Sequence, residues 1–72
     1  MKNNKHVVPN PNGGWDVKSG GLLSSHHNTQ KSAIQSATST ARFDKTEVVV
    51  HGRDGKIREK NSYGKDPFPP KG

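Results

Sequence analysis

The fold is decided by the stretch Glu47-Val48-Val49-Val50-His51-Gly52-Arg53-Asp54-Gly55-Lys56-Ile57-Arg58-Glu59-Lys60, which contains the densest apolar run of the chain. Its three consecutive valines are β-branched, and such side chains suit the pleated surface of a strand. Gly55 can adopt the positive φ that many tight turns require. The stretch therefore predicts a β-hairpin whose turn lies at Arg53-Asp54-Gly55.

Length and composition allow one small domain with a thin core. The chain has 72 residues, only 25% of them are hydrophobic, and none is cysteine. The lack of cysteine excludes disulfides, thiolate zinc sites and thiol nucleophiles. No apolar run approaches the roughly 20 residues of a membrane span, and no apolar segment of a signal peptide follows the basic start. We therefore expect a cytoplasmic protein that does not associate with membranes.

A first hairpin is predicted near the start of the chain. His6-Val7-Val8-Pro9 is a short strand candidate, and the turn formers of Asn10-Pro11-Asn12-Gly13-Gly14 follow it. In Trp15-Asp16-Val17-Lys18, apolar and polar residues alternate, as in a strand with one buried face. Pro9 cannot donate a hydrogen bond to a neighbouring strand, so the first strand should end there or lie at the sheet edge.

One helix is predicted between the two hairpins. Asn28 or Thr29 can cap its start, and residues 30 to about 43 contain neither Gly nor Pro. Its apolar positions are mostly alanines, which allow close approach to a sheet but bury little area. We expect Phe43 to close one end of the core, and Leu22-Leu23-Ser24-Ser25-His26-His27 to form a connecting loop.

These elements predict an α+β domain of order β-β-α-β-β, with an antiparallel sheet of two hairpins packed on one helix. The domain should span residues 1–64, and residues 65–72 should form a Pro-rich tail outside regular structure. The predicted core consists of Val7, Trp15, Val17, Ile34, Ala37, Ala41, Val48, Val50 and Ile57.

Five short motifs follow one another along the chain: His6-Val7-Val8-Pro9, Gly14-Trp15-Asp16-Val17-Lys18, the helix from Thr29 to Ala41, Val50-His51-Gly52-Arg53-Asp54-Gly55-Lys56-Ile57-Arg58 and Ser62-Tyr63-Gly64-Lys65-Asp66-Pro67. Taken together in this order, they resemble a small bacterial family known as domain of unknown function 2188. The resemblance covers nearly the whole chain and implies a free-standing cytoplasmic domain of bacterial or phage origin. It implies no activity and no catalytic residue, because the family has none assigned.

The strongest functional signal is positive charge on the second hairpin. The formal net charge is +6, which favours polyanionic partners. Lys56, Arg58 and Lys60 alternate with other residues, so we expect the three cations to share one face of the last strand. With Arg53 and His51, they form a predicted contact surface for DNA or RNA. The alternative is a solvated basic face that keeps an edge strand from aggregating.

A competing hypothesis is a module that self-associates or binds a protein partner without any role in nucleic-acid binding. Val49 points opposite to its two neighbouring valines, so it must be covered by a second subunit or by the tail if those neighbours pack on the helix. Phe68, in the Pro-rich tail, is the second candidate interaction residue, either in a partner's aromatic groove or against its own domain.

Catalysis and cofactor binding are not expected. The four histidines lack the His-x-x-x-His spacing of common zinc sites, so we predict neither a metal site nor a cofactor. Nucleophilic catalysis needs a hydroxyl, a base and an orienting group in a pocket, and a core this small offers no deep cleft. The sequence therefore favours a non-enzymatic binding module.

Overall fold

The computed structural model describes residues 3–63 and has an α+β architecture, as predicted. Three strands precede a single helix and two strands follow it, all within the described residues. In chain order, the elements are β1 (Lys5–Pro9), β2 (Trp15–Ser19), β3 (Leu22–His27), α1 (Gln30–Asp44), β4 (Glu47–His51) and β5 (Ile57–Ser62).

The five strands form one mixed sheet in the order β3-β2-β1-β4-β5. Both predicted hairpins are present, because β1 pairs antiparallel with β2 and β4 pairs antiparallel with β5. The purely antiparallel sheet that we predicted is wrong at one place, since β1 and β4 are parallel. The physical reason is the crossover connection. β3 and α1 lie between the two hairpins in sequence, and they return the chain to the end of the sheet where β1 starts, so that β4 runs in the same direction as β1.

The segment Leu22–His27 is a strand and not the loop predicted from its sequence. β3 pairs antiparallel with β2, and a bulge interrupts the pairing because Val17 lies opposite Ser25 while Lys18 lies opposite Leu23. Backbone hydrogen bonds to β2 hold this edge strand although most of its side chains are exposed. Its sequence therefore carries little of the alternation by which strands are recognised.

The helix α1 begins and ends close to the predicted residues. Thr29 is the N-cap, and its side chain accepts a hydrogen bond from the backbone N–H of Ser32. Ala33, Ala37 and Ala41 are fully buried at the interface with the sheet. Because alanine has the smallest apolar side chain, α1 can lie close to β1, β2 and β4. Within residues 3–63, no helix has the length and apolar character needed to cross a membrane.

The core lies between α1 and the central strands, and it matches the prediction except at Ile57, Ile34 and Ala33, the last of which is buried although it was not predicted to be. Ile34 is only partly buried. Ile57 is 62% exposed, because a register shift in β5 places it opposite His51 on the face away from α1. The prediction that Phe43 closes the core is also wrong, since its side chain is 85% exposed. The buried apolar cluster consists of Val7, Trp15, Val17, Ala33, Ala37, Ala41, Val48 and Val50.

A buried ion pair connects the start of β1 to the end of α1. The Lys5 side chain is only 4% exposed, and its Nζ lies 2.8 Å from Oδ2 of Asp44 and 3.2 Å from Oγ of Ser19. A buried ammonium group requires such partners, because an unpaired charge in the interior is strongly unfavourable. One of the twelve cations of the chain therefore serves the fold and is not available to a ligand.

Candidate nucleic-acid interface

Arg53 lies in the turn between β4 and β5, at the end of the sheet where Trp15 begins β2. Its guanidinium carbon is 4.9 Å from the centroid of the Trp15 ring. This distance is within the range of a cation–π interaction, which favours one orientation of the arginine without neutralising its charge. Arg53 itself is exposed, so it is a cation held above a nearly buried aromatic ring.

Arg58 points toward the N-terminus of α1. Its Nη1 donates a hydrogen bond of 2.8 Å to Oε1 of Gln30, the first residue of the helix. The Nε2 of Gln30 in turn donates to the backbone oxygen of His51 at 3.4 Å. The first turn of α1 contains no acidic residue, and the N-terminal end of a helix carries partial positive charge. The guanidinium and the helix terminus therefore form a positively charged region.

Lys56 completes the hairpin turn through its backbone. Its N–H donates to Oδ1 of Asp54 at 3.1 Å, and its carbonyl oxygen accepts from the N–H of Gly52 at 2.8 Å. A shallow depression of about 360 Å³ is lined by these three residues together with Ile57 and Arg58. The Asp54 carboxylate partly offsets the positive charge of this depression. Its bond to the Lys56 backbone gives it a structural role in the turn.

The expected arrangement of Lys56, Arg58 and Lys60 on one face is wrong. The register shift in β5 leaves Arg58 as the additional residue between Ile57, opposite His51, and Glu59, opposite Val50. Lys60 lies opposite Val49, on the face away from α1, and its Nζ is 3.6 Å from Oε1 of Glu47. The bulge therefore separates Lys60 from Arg58, and Lys60 has an acidic neighbour.

His51 is half-buried and lies beside His6 of β1. Nδ1 of His6 and Nε2 of His51 are 3.2 Å apart, so one ring donates a hydrogen bond to the other. Burial, and then the nearby His51, lower the pKa of His6 below its ordinary value of 6.5. The predicted contact between His51 and a phosphate stays a prediction. In this structure the His51 ring contacts another imidazole.

The two candidate interaction residues of the competing hypothesis have different positions. Val49 is only 5% exposed and lies between His6 of β1 and Lys60 of β5. Its proposed contact with a partner stays a prediction, but little of the side chain is accessible. Phe68 and the predicted tail, residues 65–72, lie outside the described residues.

A polar cluster that the sequence did not predict lies at the other side of the sheet. Nδ1 of His26 is 2.6 Å from Oδ1 of Asp16, and Nδ2 of Asn10 donates to Oδ2 of Asp16 at 2.9 Å. The hydrogen bond from His26 lowers the pKa of Asp16, and the bond from Asn10 acts in the same direction. Recognition of β3 as a strand would have revealed this pair, because Asp16 and His26 are direct cross-strand partners.

This carboxylate–imidazole pair resembles the base and orienting group of a hydrolytic triad, but its surroundings do not supply the third member. The neighbouring hydroxyls of Ser25 and Ser32 bond to His27 instead. The pair therefore connects β2 to β3. Across the described part of the chain, no group of three or more His, Asp or Glu side chains could hold a metal ion.

Comparison with known protein families supports the resemblance seen in the sequence. The family model for domain of unknown function 2188, described as an uncharacterized protein conserved in bacteria, matches residues 5–63. The match extends from the first residue of β1 to the residue after β5. Searches among curated proteins and among solved structures found no match. The chain belongs to this bacterial family.

Proposed function

We propose that the protein is a non-enzymatic module that binds nucleic acid through the phosphate backbone, in the bacterial cytoplasm. The contact surface in this proposal is the basic hairpin tip, which we define as Arg53, Lys56 and Arg58. The observation that carries the proposal is the lack of ion-pair partners for these three cations. Among the described residues, none of the three has an acidic side chain within salt-bridge distance, whereas Lys5 and Lys60 do.

The contacts of the basic hairpin tip support binding to phosphate. Arg53 packs on an aromatic ring and Arg58 bonds to a neutral amide, so both are oriented while their charge stays available. Oriented guanidinium groups bind phosphate with two parallel hydrogen bonds, whereas a lysine acts as a point charge. These are contacts to the backbone and carry no base recognition, so we expect weak sequence preference.

The shape of the surface favours an extended polyanion over a small ligand. The depression at the tip is shallow, and cations lie along its rim and beyond it. A small anion would need an enclosing set of donors. A nucleic acid presents phosphates at regular intervals and can contact separate cations together. The proposal does not include stacking of bases on aromatic side chains of the sheet, because Trp15 is in the core and Phe43 lies on α1.

The test is fluorescence anisotropy with a short labelled DNA duplex over a series of salt concentrations. The triple variant Arg53→Gln, Lys56→Gln, Arg58→Gln should bind at least tenfold more weakly than the wild type at low salt. If each cation neutralises one phosphate, the slope of log affinity against log salt should fall by about 2.7 in magnitude, since each contact contributes about 0.9. Circular dichroism confirms that the variant is folded.

A matched control separates local contacts from net charge. The variant Lys18→Gln, Arg42→Gln, Lys45→Gln removes three charges at positions outside the hairpin, two of them at the opposite end of α1 from Gln30. It should retain most of the affinity and most of the salt slope. Equal weakening by the two triple variants would contradict the assignment of the site. Lack of detectable binding by the wild type at low salt would contradict the function itself.

A further inference from the structure

The edge strand β3 is chemically unlike the rest of the surface. It pairs with β2 on one side, and within the described residues no strand pairs with its other side. The sequence from Ser19 to Gln30 contains no Asp, Glu, Lys or Arg. An edge strand with free backbone donors and acceptors and without charged side chains is a template for pairing with another strand.

Two exposed leucines begin this strand. Leu22 is 74% exposed and Leu23 is 60% exposed. Leu22 lies opposite Ser19, and Leu23 lies opposite Lys18 across the bulge. Because successive residues point to opposite faces of a sheet, apolar surface is present on both faces at this edge. A strand added beside β3 would cover both leucines at once.

Repulsion between two positively charged copies is weaker at this edge than at surfaces that carry cations. Two copies of formal charge +6 repel each other, and the repulsion is strongest between surfaces that carry cations. The opposite edge, β5, carries Arg58, Glu59 and Lys60 and continues from the basic hairpin tip. The uncharged edge at β3 is therefore where two copies can approach at least electrostatic cost.

Geometry also permits self-pairing at β3. Two copies of one strand can pair antiparallel about a two-fold axis, so that the same residues supply both sides of the interface. The bulge between Val17 and Lys18 leaves only two or three residues of regular strand on either side of it. The interface is then small, and small interfaces bind weakly.

We propose that β3 pairs antiparallel with β3 of a second copy and forms a two-fold symmetric dimer with a continuous ten-stranded sheet. We expect a dissociation constant in the micromolar range. The basic hairpin tips lie on the outermost strands of such a dimer. Neighbouring strands are about 4.8 Å apart, so the two β5 strands would be separated by roughly 43 Å.

The test is sedimentation velocity of the full chain over a wide range of concentrations. The wild type should rise from the monomer mass of 7.8 kDa to a plateau at twice that value. Leu22→Lys should remain monomeric, because each copy then presents a cation at the shared edge. Leu23→Ser is a second variant that removes apolar area without adding charge, and it should weaken dimerisation at least threefold. Circular dichroism checks that both variants are folded.

Ile57→Lys is the matched control, because Ile57 is a comparably exposed apolar residue on the opposite edge strand. It should dimerise like the wild type. Hydrogen exchange should show slower exchange in residues 22–27 at high concentration and no change in residues 57–62. Three results would overturn the proposal: a wild type that is monomeric throughout, equal loss of dimer in the Leu22 and Ile57 variants, or a mass that grows beyond the dimer without a plateau.

A monomeric wild type would leave a strand from a different protein as the occupant of this edge, and the self-pairing proposed here would be wrong. DNA binding provides an independent readout, since Leu22→Lys leaves all three residues of the basic hairpin tip in place. A monomeric variant that still binds duplex DNA would support dimerisation at β3 and phosphate binding at the hairpin as separate properties.

Discussion

The two edges of the sheet show two ways in which a strand can be held at the margin of a small domain. β5 follows a defined turn and carries charged side chains along its length. β3 is uncharged and begins with two exposed leucines. The buried carboxylate of Asp16, on β2, bonds to His26 of β3 and so connects the two strands. The difference teaches that the two edge strands are kept in place differently: charged side chains discourage other chains from pairing with β5, while contacts with β2 hold β3 and leave its outer edge for the second copy proposed above.

The largest expected effect distinguishes the glycines next to these two strands. Gly14 has φ +78°, and a Cβ there would lie 2.5 Å from the backbone oxygen of His27 and 2.9 Å from the His26 ring. Gly14→Ala should therefore lower the free energy of unfolding by about 2–4 kcal/mol, through backbone strain and displacement of β3. Urea denaturation followed by the fluorescence of Trp15, the single tryptophan, measures this loss.

Gly55→Ala is the matched change in the β4–β5 turn. Gly55 has φ +88°, and a Cβ there would meet no atom within 4 Å. The variant should lose only about 1 kcal/mol, because it adds strain without a clash. Equal losses at the two glycines would show that the close contact between Gly14 and β3 does not contribute to stability.

A smaller effect is expected from the acidic residue that serves each edge. Asp16→Asn removes a carboxylate that bonds to His26 and Asn10, whereas Glu47→Gln removes only a half-buried partner of the exposed Lys60 at 3.6 Å. Glu47→Gln should cost about 0–1 kcal/mol at neutral pH, as is usual for a surface pair. Asp16→Asn should lower the free energy of unfolding more than Glu47→Gln does. Thermal unfolding of both variants over a range of pH provides the comparison.

The sign of the pH dependence at Asp16 follows from its lowered pKa. The carboxylate is more acidic in the folded protein than in the unfolded chain, so its contribution is fully present above the ordinary pKa of 3.8. The contribution is lost as the pH falls through the lower, folded value. The gap between wild type and Asp16→Asn should therefore narrow on acidification below about pH 4, and a gap that widens there would contradict the hydrogen-bonded arrangement.

The smallest effect concerns the junction between the two halves of the sheet, where His6 of β1 meets His51 of β4. The pKa of His6 is lowered in the folded state, so the unfolded chain binds the proton more tightly. Stability should fall as the pH drops below 6.5, until His6 is protonated in the folded protein too. His6→Gln should flatten this part of the stability–pH curve. A curve with unchanged slope would show that His6 does not titrate in this way.

Much of the fold could be predicted from local patterns. The valines at 48–50 and Gly55 predicted the β4–β5 hairpin, and the alternation after Trp15 predicted β2. Thr29 and the alanine spacing predicted α1. These signals are local, since each reports a turn, a cap or a repeating period within one element. The family resemblance was also predicted from the order of the motifs and is confirmed.

The rest depended on contacts between distant residues. β3 has few buried side chains and is held by its backbone, so its sequence has little strand character. The parallel pairing of β1 with β4 depends on the path of the chain through β3 and α1. The bulge at Arg58 arises from the fit of β5 to β4, and it changed which cations lie together. In the candidate site, the sequence therefore predicted the cations but not their orientation.

The parallel pairing of β1 with β4 has a consequence for the order of folding. Lys5 lies beside Val48, so the central pair of the sheet joins residues that are far apart in the chain. Synthesis proceeds from the N-terminus, and strands β1 to β3 therefore leave the ribosome before their central neighbour exists. Pairing over such a separation requires closure of a long loop, which slows folding. During that interval β1 is itself an edge strand, and the core around Val7 and Val17 lacks the side chains that α1 and β4 contribute.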